Sequence, residues 1–151
     1  MKKRWWIAVL VFILDRITKM LAESIPAEGM TLIPGVLGLR YARNTGMAFS
    51  LLSGRPWLLG LLSLAVILGA FLYLRGKTIP PLAMTGLMGM LGGAVGNMLD
   101  RFCTGYVPDM IEFLFVHFAI FNLADTALTI GCAMVLLCLL REKQPPLDPA
   151  P

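Results

Sequence analysis

Pro81-Leu-Ala-Met-Thr-Gly-Leu-Met-Gly-Met-Leu-Gly-Gly-Ala-Val-Gly-Asn-Met-Leu-Asp-Arg101 is an apolar run that closes in a polar cluster. Gly86, Gly89, Gly93 and Gly96 recur along it at helical spacing and form a small-residue face on which a second backbone can pack closely. Asn97, Asp100 and Arg101 mark its far end. An ionisable group at membrane depth is costly and is kept in a bundle interior or a wet cavity. The stretch therefore reads as a membrane helix whose outer end faces a site.

Three more runs share this character. The chain is 58% hydrophobic and 15% charged, with a mean hydropathy of +0.78, too apolar for a soluble domain of 151 residues. Helices are expected at about 5–25, 57–74, 81–101 and 118–140. The second, Trp57 to Leu74, carries no charge and is long enough for roughly 27 Å of helix. The first begins like a signal peptide, but no small-x-small cleavage pattern follows its apolar centre, so it reads as an uncleaved helix. Asp15, Lys19 and Glu23 share one of its faces, which must look into protein, while Arg16 lies off that line. The fourth begins with Asn122 and Asp125 on one face, one to two turns below the outer boundary.

The basic residues report orientation. A net charge of +4 is not gathered into a stripe with interleaved aromatics, so no nucleic acid partner is expected. Lys2, Lys3 and Arg4, then Arg75 and Lys77, then Arg141 and Lys143 flank the apolar runs on one side, which the positive-inside rule makes cytoplasmic. Both termini then lie inside. Residues 26–56 and 102–117 lie outside. The first holds Pro26, Gly29, Pro34, Gly35, Gly38, Gly46 and Gly54 around short strand-like stretches, which predicts a small sheet on the membrane surface. In the second, Pro108 disfavours helical geometry at Val107, so Asp109 is expected on irregular backbone. The fold class is an all-α integral membrane protein with four transmembrane helices and a small extracytoplasmic β-sheet, a single domain over residues 1–151.

This topology brings Asp100, Asp109 and Asp125 to one face of the membrane. Two adjacent carboxylates cannot both ionise easily, so one keeps a proton while the other serves as a base, an arrangement that activates water against an amide. Other chemistries find less support. There is no HExxH or GxSxG, and His117 is the only histidine. Ser24, Ser50, Ser53 and Ser63 adjoin no base in sequence, although Lys19 with Ser24, or Cys103 with His117, would be alternative nucleophile and base pairs. Cys132 and Cys138 read as buried small hydrophobes.

Five motifs occur in order: Asp15-Arg-Ile-Thr-Lys19, Asn44-Thr-Gly-Met-Ala-Phe49, Gly92-Gly-Ala-Val-Gly-Asn-Met-Leu-Asp-Arg101, Gly105-Tyr-Val-Pro-Asp109 and Phe121-Asn-Leu-Ala-Asp125. Together they resemble the lipoprotein signal peptidase (signal peptidase II) family of intramembrane aspartyl proteases, from Asp15 to about Gly131. The resemblance implies Asp109 and Asp125 as the catalytic pair. It gives supporting or substrate-binding roles to Asp15, Lys19, Asn44, Gly46, Asn97, Asp100, Arg101 and Asn122. It further implies a sheet called a cradle, a short outer helix able to close over the site, and no metal or organic cofactor. The implied substrate is a membrane-inserted diacylglyceryl prolipoprotein cut just before its lipidated cysteine, in the bacterial inner membrane; a monomer in contact with membrane lipid is expected. Pro108, Met110 and Ala119 depart from the usual pattern and bear on the shape of the outer loop.

Asp15 with Lys19 is also explained as a charge-neutralising ion pair within the first helix, and Asp100 with Arg101 as a helix-end pair. Arg40, Arg43 and Arg55 lie outside, against the charge bias, where lipid phosphate or substrate would meet them. The rival from another class is a small proton-coupled transporter subunit, which requires a polar path across the whole membrane. The inner halves of the second and fourth runs offer almost no polar residues. A non-catalytic assembly factor would tolerate amides in place of the carboxylates.

Overall fold

In the computed structural model, which describes residues 4–46, 52 and 54–142, the chain forms four helices and three strands. They are α1 (Trp5–Ala22), β1 (Met30–Ile33), β2 (Leu37–Asn44), α2 (Pro56–Leu74), α3 (Pro81–Cys103), β3 (Val107–Phe113) and α4 (Leu123–Glu142). Among the described residues, three helices are long and apolar enough to cross a membrane: α2, α3 and α4. α1 is 18 residues long but holds Asp15, Arg16 and Lys19. It ends at Ala22, so Glu23 falls past the helix and is exposed, apart from the face that buries Asp15 and Lys19. Prolines open α2 and α3 at the first helical position, where the missing N–H has no intrahelical partner to lose.

α3 is the centre of the bundle and packs against α1, α2 and α4. Its glycines explain how. A Cβ built on Gly86 would lie 2.6 Å from the carbonyl oxygen of Gly131, and one on Gly93 would lie 2.6 Å from that of Ala124, so both positions seat α4. Gly92 faces the Ala8 carbonyl and seats α1, while the space beside Gly96 is taken by the Asp15 carboxylate. Within the expected small-residue face, Gly86 and Gly93 thus serve α4 and Gly96 serves one side chain, while Gly92, outside that face, serves α1. Gly86→Val should cost about 1–3 kcal/mol through overpacking against rigid backbone. Thermal unfolding in detergent measures this, with Gly69→Ala as the control, since a methyl group there meets nothing within 4 Å. Equal midpoints for Gly86→Val and the wild-type chain would refute the close packing.

The sheet runs β1-β2-β3, all antiparallel. β1 and β2 are joined at Ile33-Pro34-Gly35-Val36, where the Val36 N–H donates to the Ile33 carbonyl at 3.0 Å and Gly35 takes φ +70. Proline second and glycine third is the pattern a type II turn requires. β3 pairs with β2 from Val107 opposite Asn44 to Phe113 opposite Leu37.

Three expectations are corrected. Asp109 lies on strand β3 and not in a loop, opposite Ala42 where the register of β2 shifts: Pro108 is the second residue of an edge strand, where its missing N–H is tolerated and its bias of Val107 toward extended geometry helps. α4 begins at Leu123 and not near Phe118, because Phe121 and Ile111 exchange backbone hydrogen bonds of 2.8 and 3.0 Å that hold the approach extended. Cys138 is buried, but Cys132 is on the outside of the bundle.

Candidate active site

The site is built at the end of the bundle where β2, β3, α3 and α4 meet. Asn122 caps α4: its Oδ1 accepts the Asp125 N–H at 2.9 Å, and its own N–H donates to Asp125 Oδ2 at 3.2 Å. This reciprocal cap puts Asp125 in the first turn of α4 and fixes the carboxylate against the helix end. Asp109 is carried by β3 and is 2% exposed. Asp125 is half-buried.

Three asparagines hold the two carboxylates, and each is oriented by a donor that claims its amide oxygen. Asn44 Oδ1 accepts the Gly46 N–H at 2.9 Å, which turns Nδ2 to Asp109 Oδ2 at 2.9 Å. Asn122, with its oxygen used in the cap, donates to Asp109 Oδ1 at 2.6 Å. Asn97 Oδ1 accepts from Lys19 Nζ at 2.7 Å, and its Nδ2 donates to Asp125 Oδ1 at 2.9 Å. Lys19 has donors only, so it fixes which way Asn97 faces. Asn122 Nδ2 also lies 3.4 Å from Asn97 Oδ1 and links the two halves.

Behind the asparagines sits a buried ion cluster. Lys19 Nζ is 2.8 Å from Asp15 Oδ2 and 2.7 Å from Asp100 Oδ2. Arg16 grips both oxygens of Asp100, at 2.6 and 2.7 Å, and reaches Asp15 at 3.1 Å. Asp15 Oδ1 accepts the Ala124 N–H at 3.2 Å and ties α1 to the start of α4. Two carboxylates thus face two cations. Asp15 and Lys19 do form the expected ion pair, but as part of a larger set. Asp100 is not the partner of Arg101, which donates instead to the carbonyls of Gly46 at 3.1 Å and Asn97 at 3.3 Å. Arg16 was missed because its position falls off the buried line; its long side chain reaches back to it.

Asp109, Asp125, Asn44, Gly46 and Arg101 line one cavity of about 820 Å³. Its other wall is apolar and includes Phe118, Ile120, Leu128 and Ile130. Burial pushes the Asp109 carboxyl up to about 6; hydrogen bonds from Asn44 and Asn122 oppose the rise, and the charge of Asp125 adds to it. Arg101 is the one cation among the described residues lining the cavity beside the two carboxylates, apart from exposed Arg43, whose guanidinium lies 4.8 Å from the centre of the Tyr106 ring. Arg40 pairs with Glu112, and Arg55 is exposed at the start of α2. No group of three or more His, Cys, Asp or Glu side chains among the described residues is arranged to hold a metal ion. Residues 47–51 and 53, including the end of the Asn44 to Phe49 motif, lie outside the described residues.

Apolar helices that bury paired carboxylates under a small sheet define a polytopic membrane protein with an acid-base site. Comparison with known proteins narrows this. The family described as Signal peptidase (SPase) II matches residues 7–141. The lipoprotein signal peptidase of Streptococcus pneumoniae is 38% identical over 149 residues, covering 95% of this chain and 97% of its own. That of Syntrophomonas wolfei is 41% identical over 142 residues, covering 91% and 93%. A bacterial membrane enzyme solved by the in meso method superposes with a TM-score of 0.87 at 29% identity, covering 100% of this chain and 95% of the other. The chain belongs to the signal peptidase II family of lipoprotein signal peptidases, which are aspartyl peptidases.

Proposed function

We propose that Asp109 and Asp125 are the catalytic pair, and that they hydrolyse the peptide bond before a diacylglyceryl-modified cysteine in a membrane-inserted prolipoprotein. The observation that carries this reading is their shared cavity, in which each carboxylate is oriented by amide donors. With Arg101 as the half-buried cation beside two carboxylates, the set is neutral when the pair holds one proton. One aspartate then takes a proton from water as it attacks the scissile carbonyl, and the protonated one polarises that carbonyl and later donates to the leaving amine. Arg101 lines this cavity, and Nη1 and Nη2, which bond the Asn97 and Gly46 carbonyls, each carry a second N–H that can meet substrate. The apolar wall of the cavity suits a lipidated chain, and burying acyl methylenes contributes about 0.8 kcal/mol each.

In this reading α1 is the fourth span, its charges hidden against α3, and residues 1–151 form a single polytopic domain that works as a monomer. Both termini are cytoplasmic and the cavity lies near the outer face. Asp15, Lys19, Asn97, Asp100 and Asn122 order the pair without touching substrate, and no cofactor takes part. The polar groups gathered at one end of the bundle favour a peptidase over a proton-coupled transporter, which needs them along its whole depth.

Incubating purified protein with diacylglyceryl-modified and unmodified precursor tests this directly. Release of a signal peptide only from the lipidated form is expected, and equal release from both would refute the substrate assignment. The pH profile adds a second readout. Asp109 holds its proton below about 6 and loses it above, so kcat/KM of the free enzyme should fall on the alkaline side by roughly tenfold per pH unit. The hydrogen bond from Asn44 lowers the Asp109 pKa, so Asn44→Ala should move that limb to higher pH. A limb that stays in place would separate Asp109 from the titration.

A further inference from the structure

A second cavity, of about 630 Å³, lies between α1, α2 and α3, and no charged side chain among the described residues lines it. α2 packs against α3, while α1 packs against α3 and α4, so the space between α1 and α2 is left open by the described residues. At the end away from the carboxylates, the lining residues Trp5, Leu74 and Ile79 stand beside a set of cations. Arg4 precedes Trp5 and donates to the Thr85 hydroxyl; Arg75 follows Leu74; Lys77 stands 3.3 Å over the Tyr73 ring. Residues 4–8 and 73–85 contain no aspartate or glutamate to neutralise them.

Two kinds of occupant fit a membrane groove, a helix or a lipid chain. A signal-peptide helix cut at the carboxylates would bring its basic leading segment to the cationic end, where like charges repel. An acyl chain is slender and apolar, and a negatively charged phosphate complements the three cations. We propose that this groove binds one acyl chain of an anionic phospholipid, with its phosphate held by Arg4, Arg75 and Lys77 in the leaflet away from the active site.

Native mass spectrometry of the purified full chain, titrated with phosphatidylglycerol or phosphatidylcholine of identical chains, tests the site. One phosphatidylglycerol should be retained in preference to phosphatidylcholine. Arg75→Gln with Lys77→Gln should weaken its retention by roughly tenfold or more. Ala70→Trp, which fills the groove from an exposed position on α2, should lower retention of both lipids. Equal retention of the two lipids by the wild-type chain would overturn the headgroup assignment, a result that needs no variant to fold. Unchanged binding to Ala70→Trp with native helicity by circular dichroism, or displacement of the lipid by a synthetic signal-peptide helix, would overturn the groove assignment.

Discussion

Asparagine in place of Asp109 or Asp125 should lower kcat for prolipoprotein cleavage by roughly a thousandfold or more, with membrane insertion retained. Asparagine matches aspartate in shape but can neither take a proton from water nor give one to the amine. The two single losses should be similar, and the double variant little worse than either, because a base without its acid partner does not complete the cycle. The local geometry also changes: both oxygens of Asp109 accept from amide nitrogens, at 2.9 and 2.6 Å, so an amide here must turn an NH2 group toward one donor. The unfolding midpoint of each variant therefore accompanies its activity. A properly folded Asp109→Asn or Asp125→Asn protein within tenfold of wild-type activity would remove that residue from the chemistry.

Much of this arrangement was legible in the sequence, for reasons that differ from residue to residue. The membrane helices follow from long apolar runs, and the close seams of α3 from glycine spacing, because both are local patterns. Asp15 and Lys19 were legible as buried because a charged face on an apolar helix must be covered. The third strand was not legible, since what makes Val107–Phe113 a strand is its partner Leu37–Asn44, remote in sequence, and Pro108 pointed to a loop. Nor was the start of α4. Asn122 and Asp125 three apart fit a helix face and a reciprocal cap equally well, and the Phe121–Ile111 bridge decides between them. The partner of Asp100 was hidden for a third reason. Neighbouring Arg101 satisfied the charge on paper, while the true ligands, Arg16 and Lys19, come from another helix.

That hidden set makes Lys19 the residue with the largest expected effect on stability. Lys19 is 3% exposed and bonded to Asp15, Asp100 and Asn97, so Lys19→Met removes a cation from between two buried carboxylates. Breaking a buried pair by deleting one partner costs about 3–5 kcal/mol, because the remaining charge is left uncompensated. The loss should appear as a lower unfolding midpoint in detergent. Adding Asp15→Asn should recover much of it: Arg16 still pairs with Asp100, and an asparagine oxygen at position 15 still accepts the Ala124 N–H. Cleavage should not return with stability. Asn97 Oδ1 has lost its short bond from a donor-only partner and keeps only the 3.4 Å contact from Asn122 Nδ2, so Nδ2 is held on Asp125 less firmly. If the double variant regains both stability and cleavage, Lys19 acts only by balancing charge; if Lys19→Met unfolds at the wild-type midpoint, the ion cluster does not hold α1 to α3. A stable double variant with little activity would instead assign Lys19 two separable tasks, neutralising the interior and aiming the amide that positions Asp125.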